Sequence, residues 1–196
     1  IEKHLPEAIA IIGRVNPTEN QYQSAKKLEL IQTLSAGFEE VDLDRARHHG
    51  VQLANNNGAN AVSVAEHVLM QMLVLYRQLL FHHHSVSEGP WENRKMKNRE
   101  LGGKTLGLIG LGKIGKTVAR YTVSLGMKVQ YFDVVRQHET ETELGLGYAF
   151  PETLLKTSCI VSYHVPITQY TRGIINRRSL SIMKKDAVLI NAARGE

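Results

Sequence analysis

The stretch from Lys104 to Arg120 restricts what this chain can fold into more than any other part of it. An apolar run ending at Ile109 is followed by Gly110, Gly112 and Gly115, and then by residues with helical spacing. A short apolar run bounded by turn residues reads as a buried strand, and glycines so spaced read as a tight turn that opens a helix. A second apolar segment, Met127 to Phe132, ends in Asp133, 18 residues past Gly115. Strand, glycine turn, helix, strand and acid, in that order, predict a unit of a parallel, doubly wound α/β sheet.

Each glycine has its own physical task in such a unit. Gly110 permits the sharp turn, Gly112 lets backbone approach a pyrophosphate where a Cβ would intrude, and Gly115 lets helix and strand pack closely. The N–H groups and positive dipole end of the helix start suit phosphate. Asp133 suits the hydroxyls of a ribose and repels a 2′-phosphate, so NAD is the expected dinucleotide; Arg136, three residues on, would soften that preference.

The remaining composition narrows the alternatives. The 196 residues allow one large domain or two small ones, and apolar and charged fractions of 42% and 22% are ordinary for a soluble chain. The formal charge of +5 is concentrated between Arg94 and Arg120, where no aromatic residue is interleaved. That pattern reads as a solvated face favouring an anionic cofactor rather than as a nucleic-acid surface. The longest apolar stretch, Ala61 to Phe81, contains Glu66, His67, Gln71, Arg77 and Gln78, and predicts one amphipathic helix instead of a membrane span. The single cysteine, Cys159, excludes an internal disulfide framework and reads as a small buried hydrophobe, in keeping with a cytoplasmic setting. His82, His83 and His84 are adjacent, so on a helix they cannot share a face, and they read as a solvated helix end rather than a metal site.

Along the chain, strands are expected at 8–12, 28–34 and 51–54, with helices at 18–27 and 43–49 between them. Asn55 to Gly58 forms a turn cluster and candidate hinge. This places a first domain at 1–58 and a second at 59–196. In the second, strands are expected near 105–109, 127–132, 158–163 and 186–190, with helical segments around 115–125, 151–156 and 177–183, and a possible short strand at 147–150. Complete sheets of this kind usually carry six strands, and the chain has no initial Met, so both domains are expected to be partial and the chain truncated at both ends.

Two residues follow strands at the expected crevice. Arg194 comes just after the strand at 186–190, placed to grip a carboxylate through two parallel hydrogen bonds. His164 follows the strand at 158–163 and is a nominal general base, but no carboxylate lies in its segment to orient it.

Several segments together resemble the D-isomer-specific 2-hydroxyacid dehydrogenase family, whose superfamily includes NAD-dependent formate dehydrogenase. They are Ser35 to Phe38, Gly58 to His67, the glycine turn with Asp133, His164 to Thr168, and Asn191 to Gly195, so the resemblance runs from about residue 28 to the end. It implies a Rossmann-like NAD domain preceded by a partial flavodoxin-like α/β substrate domain. It implies that Arg194 binds the substrate carboxylate, with Ala36, Gly37, Phe38 and Asn60 on the other side of the substrate. It places Gly110, Gly112, Lys113, Ile114, Gly115, Asp133, His164, Val165, Pro166, Thr171 and Ala192 around NAD, and a cofactor-side position argues against His164 as the base. The family's proton-handling histidine and glutamate lie beyond the arginine, so the 196-residue fragment is expected to show no turnover. The intact parent would transfer a hydride between nicotinamide and C2 of a small D-2-hydroxy or 2-oxo acid, as a homodimer paired through residues 61–81, with neither nucleic acid nor membrane as partner. Formate oxidation is the alternative within enzymes, motivated by Asn60 with Ser63 to His67. An NAD-sensing corepressor of transcription is the alternative from another class.

Overall fold

The computed structural model describes residues 2–38, 40–89 and 97–195. Arg94 and Lys95 of the basic run lie outside the described residues. The chain divides into two compact units, Ile1–Asn60 and Ala61–Glu196.

The first unit alternates strands and helices after a short 3-10 helix at Glu2–Glu7. Its elements are β1 (Ala10–Ile12), α1 (Glu19–Ser24), β2 (Leu30–Gln32), α2 (Leu43–His48) and β3 (Gln52–Ala54). The strands pair in parallel in the order β1-β2-β3, which requires a crossover between each pair, here supplied by α1 and α2. Local chemistry fixes where those helices begin. Thr18 and Gln21 form a reciprocal capping box at α1, and the Asp42 carboxylate accepts from the Arg45 N–H at 2.9 Å at α2. Tyr22, Leu28, Ile31, Ala46 and Val51 close a small core of their own.

The second unit contains α3 (Ala61–Tyr76), α4 (Leu79–Glu88), β4 (Thr105–Ile109), α5 (Lys113–Ser124), β5 (Lys128–Phe132), α6 (His138–Leu144), β6 (Gly147–Tyr148), α7 (Pro151–Thr157), β7 (Ile160–Tyr163), α8 (Arg177–Ser181) and β8 (Val188–Asn191). Its five strands are all parallel, in the order β6-β5-β4-β7-β8. The chain therefore starts at the centre, builds outward through β5 and β6, and returns to build β7 and β8 on the other side. The reversal between β4 and β7 leaves a crevice beyond their carboxyl ends. Helices cover both faces. Val68, Met72, Leu106, Leu108, Val118 and Tyr131 form the core on one side, and Ile109, Leu154, Leu155, Val161 and Tyr163 on the other. This is the doubly wound α/β arrangement, and burial from both faces explains why β4 and β7 read as continuous apolar runs. On α5 the buried residues are Gly115, Val118, Ala119 and Thr122, at the i, i+3, i+4, i+7 spacing of a single helical stripe.

Two local expectations are corrected, and one helix is additional to those expected. The helix expected over Ala61 to Phe81 is two helices, because Gln78 adopts a left-handed conformation (φ 49°) just after Tyr76, the last residue of α3 buried in the core. Cys159 is only half-buried, with Lys184 Nζ 3.8 Å from its sulfur, because it lies one residue before β7, at the amino end of that strand. Helix α6 was not anticipated, since its sequence, HETETEL, has almost no apolar stripe; its only clear signal is Gly145, which ends it in a left-handed conformation (φ 65°). Among the described residues no helix is long and apolar enough to cross a membrane.

Gly107, in the middle of β4, sets the distance between sheet and α7. A Cβ there would stand 2.3 Å from Ser158 Oγ and 2.4 Å from Leu154 Cδ2. Both neighbours are fully buried and have no room to yield. Gly107→Ala should therefore lower stability by about 1–3 kcal/mol in urea denaturation. A variant as stable as the parent would show that α7 does not press on this strand.

Candidate active site

The carboxyl ends of β4, β5, β7 and β8 bring most of the nominated residues together in the second unit. β4 ends at Ile109, and the chain turns at Gly110 with φ 98°. Two backbone hydrogen bonds lock this corner between its neighbours: Gly110 N–H donates to Phe132 O and His164 N–H donates to Ile109 O, each at 2.8 Å. A Cβ on Gly110 would lie 2.6 Å from His164 O, so both conformation and space demand glycine there. Gly115 is required by packing alone, since its Cβ would stand 2.3 Å from Gly110 O.

Gly112 differs from both. Its φ of −73° suits any residue, and a Cβ would meet no described atom within 4 Å. It caps α5 without a side chain, directly before Lys113 and Ile114 in the first helical turn. The protein thus keeps an open approach to a helix N-terminus, the arrangement that accommodates an anion against backbone N–H groups.

Asp133 follows β5 and faces this turn. Its Oδ2 accepts from Leu111 N–H at 2.7 Å and its Oδ1 from Val135 N–H at 3.4 Å. Each oxygen retains a lone pair for a further donor. Beyond it, Arg136 donates from Nε and Nη2 to the two oxygens of Glu141 at 2.8 and 3.0 Å. Tyr131 Oη donates to Glu141 Oε1 at 2.6 Å and accepts from Gln137 N–H at 2.8 Å. Glu141, Tyr131 and Tyr148, whose ring lies 5.0 Å beneath the Arg136 guanidinium, were not foreseen as site neighbours. The spacing of Arg136 and Glu141 straddles the start of α6, and no periodic pattern flags it.

After β7 the chain forms a loop through His164, Val165, Pro166 and Thr171. His164 Nε2 pairs with Ser162 Oγ at 2.9 Å, while Nδ1 is buried and has no partner among the described residues. Burial lowers its pKa from 6.5 to about 4, so the ring is neutral near pH 7. The Thr171 hydroxyl bridges Pro166 O and Thr168 N–H, which folds the loop upon itself. Val165, Pro166 and Thr171 share a shallow cleft with Asn191 and Arg194 past β8. Asn191 shapes that turn, donating to Arg194 O at 2.6 Å and accepting from Ala193 N–H at 3.1 Å, while Ala192 packs against the core. Arg194 Nη1 donates to Ala193 O at 2.9 Å, and its side chain is exposed.

Ala36, Gly37, Phe38 and Asn60 belong to the first unit. Ala36 O accepts from Asn55 Nδ2 and Gly37 O from Ser35 Oγ, each at 2.8 Å, so the loop after β2 is tied to the turn after β3. The triplet His82 to His84 lies on α4, where His82 meets Asn98 at 3.1 Å and His84 meets Glu88 at 3.1 Å. Among the described residues no group of three or more His, Cys, Asp or Glu side chains is placed to hold a metal.

Comparison with known proteins supplies the chemistry that goes with this architecture. Residues 69–196 match the family described as D-isomer specific 2-hydroxyacid dehydrogenase, NAD binding domain. The chain is 38% identical over 195 residues to a hydroxypyruvate reductase of Thermotoga maritima, covering 98% of this chain and 63% of that one. It is 34% identical over 203 residues to mitochondrial formate dehydrogenase 2 of Oryza sativa, covering all of this chain and 54% of that one. The solved D-lactate dehydrogenase of Aquifex aeolicus, complexed with NAD and lactic acid, superposes with a TM-score of 0.87 at 36% identity, covering all of this chain and 59% of that one. The chain thus spans roughly three fifths or less of the length of these relatives. With the family model covering the second unit from within α3 onward, this chain belongs to the D-isomer specific 2-hydroxyacid dehydrogenase family and carries its NAD binding domain.

Proposed function

We propose that the whole protein is an NAD-dependent oxidoreductase acting on a small D-2-hydroxy or 2-oxo acid. The observation that carries this reading is Gly112. Neither its backbone conformation nor any neighbouring protein atom asks for glycine, so the missing side chain answers to something outside the protein. A pyrophosphate against the first turn of α5, with Lys113, Ile114 and Gly115, fits that space. Gly110 supplies the corner. Asp133 accepts from the ribose hydroxyls. The loop of His164, Val165, Pro166 and Thr171, with Ala192, borders the rest of the dinucleotide. When bound, NADH supplies a hydride from its nicotinamide.

Arg194 holds the substrate carboxylate through its guanidinium, beside the carbon that changes oxidation state. Ala36, Gly37 and Phe38 offer backbone N–H groups to the same substrate, and Asn60 an amide. His164 serves position rather than proton transfer, because burial disfavours the protonated ring that a proton carrier must become and no carboxylate among its contacts orients it. Exposed apolar residues on α3 and α4, among them Met70, Leu73, Leu79, Leu80 and Phe81, support pairing of two copies through this segment.

Formate is the competing substrate. Asn60 and the likeness to the rice formate dehydrogenase favour it, whereas the likeness to hydroxypyruvate reductase and D-lactate dehydrogenase favours 2-oxo acids.

Gly112→Val should leave the chain folded, at a cost within about 1 kcal/mol, because extended backbone and open space suit the side chain. Calorimetric titration should nevertheless show NADH affinity reduced at least ~10-fold, since the isopropyl group occupies the phosphate approach. Unchanged affinity in that variant removes the cradle from the dinucleotide site.

The 196-residue chain, none of whose residues is assigned the proton transfer, should bind NADH yet leave glyoxylate, pyruvate and hydroxypyruvate unreduced in a steady-state assay. Appreciable NADH consumption would mean that a residue in this chain does move the proton. The intact protein should consume NADH with one of these acids; NADH production from formate instead would settle the substrate the other way.

Because burial holds His164 below its ordinary value of 6.5, at about 4, the unfolded chain takes up a proton there before the folded one does. Stability present above pH 6.5 is therefore lost as pH falls towards 4, by up to about 3 kcal/mol. Denaturation curves across this range should show the loss in the parent and a shallower one in His164→Gln. Parallel acid limbs would mean that the histidine is solvated.

A further inference from the structure

The loop between β5 and α6 holds two charges of opposite consequence for dinucleotide choice. Asp133 disfavours a 2′-phosphate, whereas a guanidinium three residues further on is the kind of group that binds one. Resting on the dinucleotide reading above, we propose that Glu141 is a specificity-determining positioning residue, which holds Arg136 away from the ribose and so keeps the site selective for NAD over NADP.

The geometry of the guanidinium carries this. Arg136 Nε and Nη2 are both committed, each to a different oxygen of Glu141, in the two-pronged pairing that also binds phosphate. The guanidinium lies over the Tyr148 ring as well, 5.0 Å from its centre. Glu141 is fixed in turn. Its Oε1 accepts from Tyr131, a fully buried side chain on β5, at 2.6 Å, and the same hydroxyl receives Gln137 N–H at 2.8 Å. The Glu141 side chain is only 13% exposed, against 50% for Arg136, so the acid is the anchored member of the pair. The Arg136 and Tyr131 hydrogen bonds hold its carboxyl at about 2, which keeps it ionised throughout the working range. His138 Nδ1 lies 3.8 Å from the second oxygen. Lys116, on α5, reaches the same loop and donates to Gln137 Oε1 at 2.9 Å. The loop therefore presents the Asp133 carboxylate with the arginine three residues on already paired.

Binding of NADH and NADPH to the full 196-residue chain, by calorimetry and by displacement of NADH fluorescence, tests the assignment. Glu141→Gln should tighten NADPH binding about 10-fold while changing NADH affinity less than about 3-fold, as expected when one charged hydrogen-bond partner becomes available. Adding Arg136→Gln to that variant should abolish the gain. Arg136→Gln alone should leave NADPH affinity within about 2-fold of the parent, because the guanidinium is already engaged. In the parent the Arg136 Nε–H resonance should exchange slowly with solvent and lose that protection in Glu141→Gln. A folded Glu141→Gln chain without improved NADPH binding overturns the proposal. So does weakened NADPH binding in Arg136→Gln alone, an arm that decides the matter even if the Glu141 variant fails to fold. Absence of binding of either dinucleotide to the parent would instead defeat the functional reading beneath it.

Discussion

The close approach of Gly110 to the backbone of His164 is the contact on which sheet and site both depend. It lies where the strand order reverses, between β4 and β7. A side chain on Gly110 would meet a carbonyl at 2.6 Å, and parting β4 from β7 to admit it would break the hydrogen bond that His164 N–H makes to Ile109 O. The crevice that receives the dinucleotide in this family is therefore the same piece of backbone that joins the two halves of the sheet. Tight packing at Gly115 and open space at Gly112 follow from that corner. One brings α5 onto the strand, and the other leaves its N-terminus approachable.

Charge around the crevice is settled by burial and pairing rather than by the formal total. Burial favours the neutral ring of His164, whose Nε2 pairs with the Ser162 hydroxyl. Arg136 and Glu141 cancel each other beside Asp133. The net charge of +5 thus says little about the field at the site, where the uncompensated group on the β5 loop is an acid.

Much of the second unit was legible because its signals are local. The strand at 105–109, the glycine turn and the acid at 133 each follow from residue types at fixed spacings, and the structure places them as one βαβ unit. The starts of α1 and α2 at Thr18 and Asp42 rest on equally local chemistry, since a cap acts within three residues. The break at Gln78 was not, because it depends on where Tyr76 stops being buried, and α6 was not, because its seven residues carry little apolar stripe. The half-exposure of Cys159 was hidden by an apolar neighbourhood in sequence, although in space the residue precedes the buried part of β7.

By itself, the sequence determined the class of fold and the position of the glycine turn, because glycine, apolar period and terminal acid constrain backbone geometry within a few residues. Only the tertiary structure decided what each group near that turn is able to do. It showed that Gly112 faces open space while Gly107 and Gly115 are hemmed in, that His164 is desolvated, and that Arg136 is bound to Glu141. Those properties depend on distances between atoms far apart along the chain or displaced around a loop. Desolvation and ion pairing, unlike helical period or turn conformation, have no reading until the chain has folded.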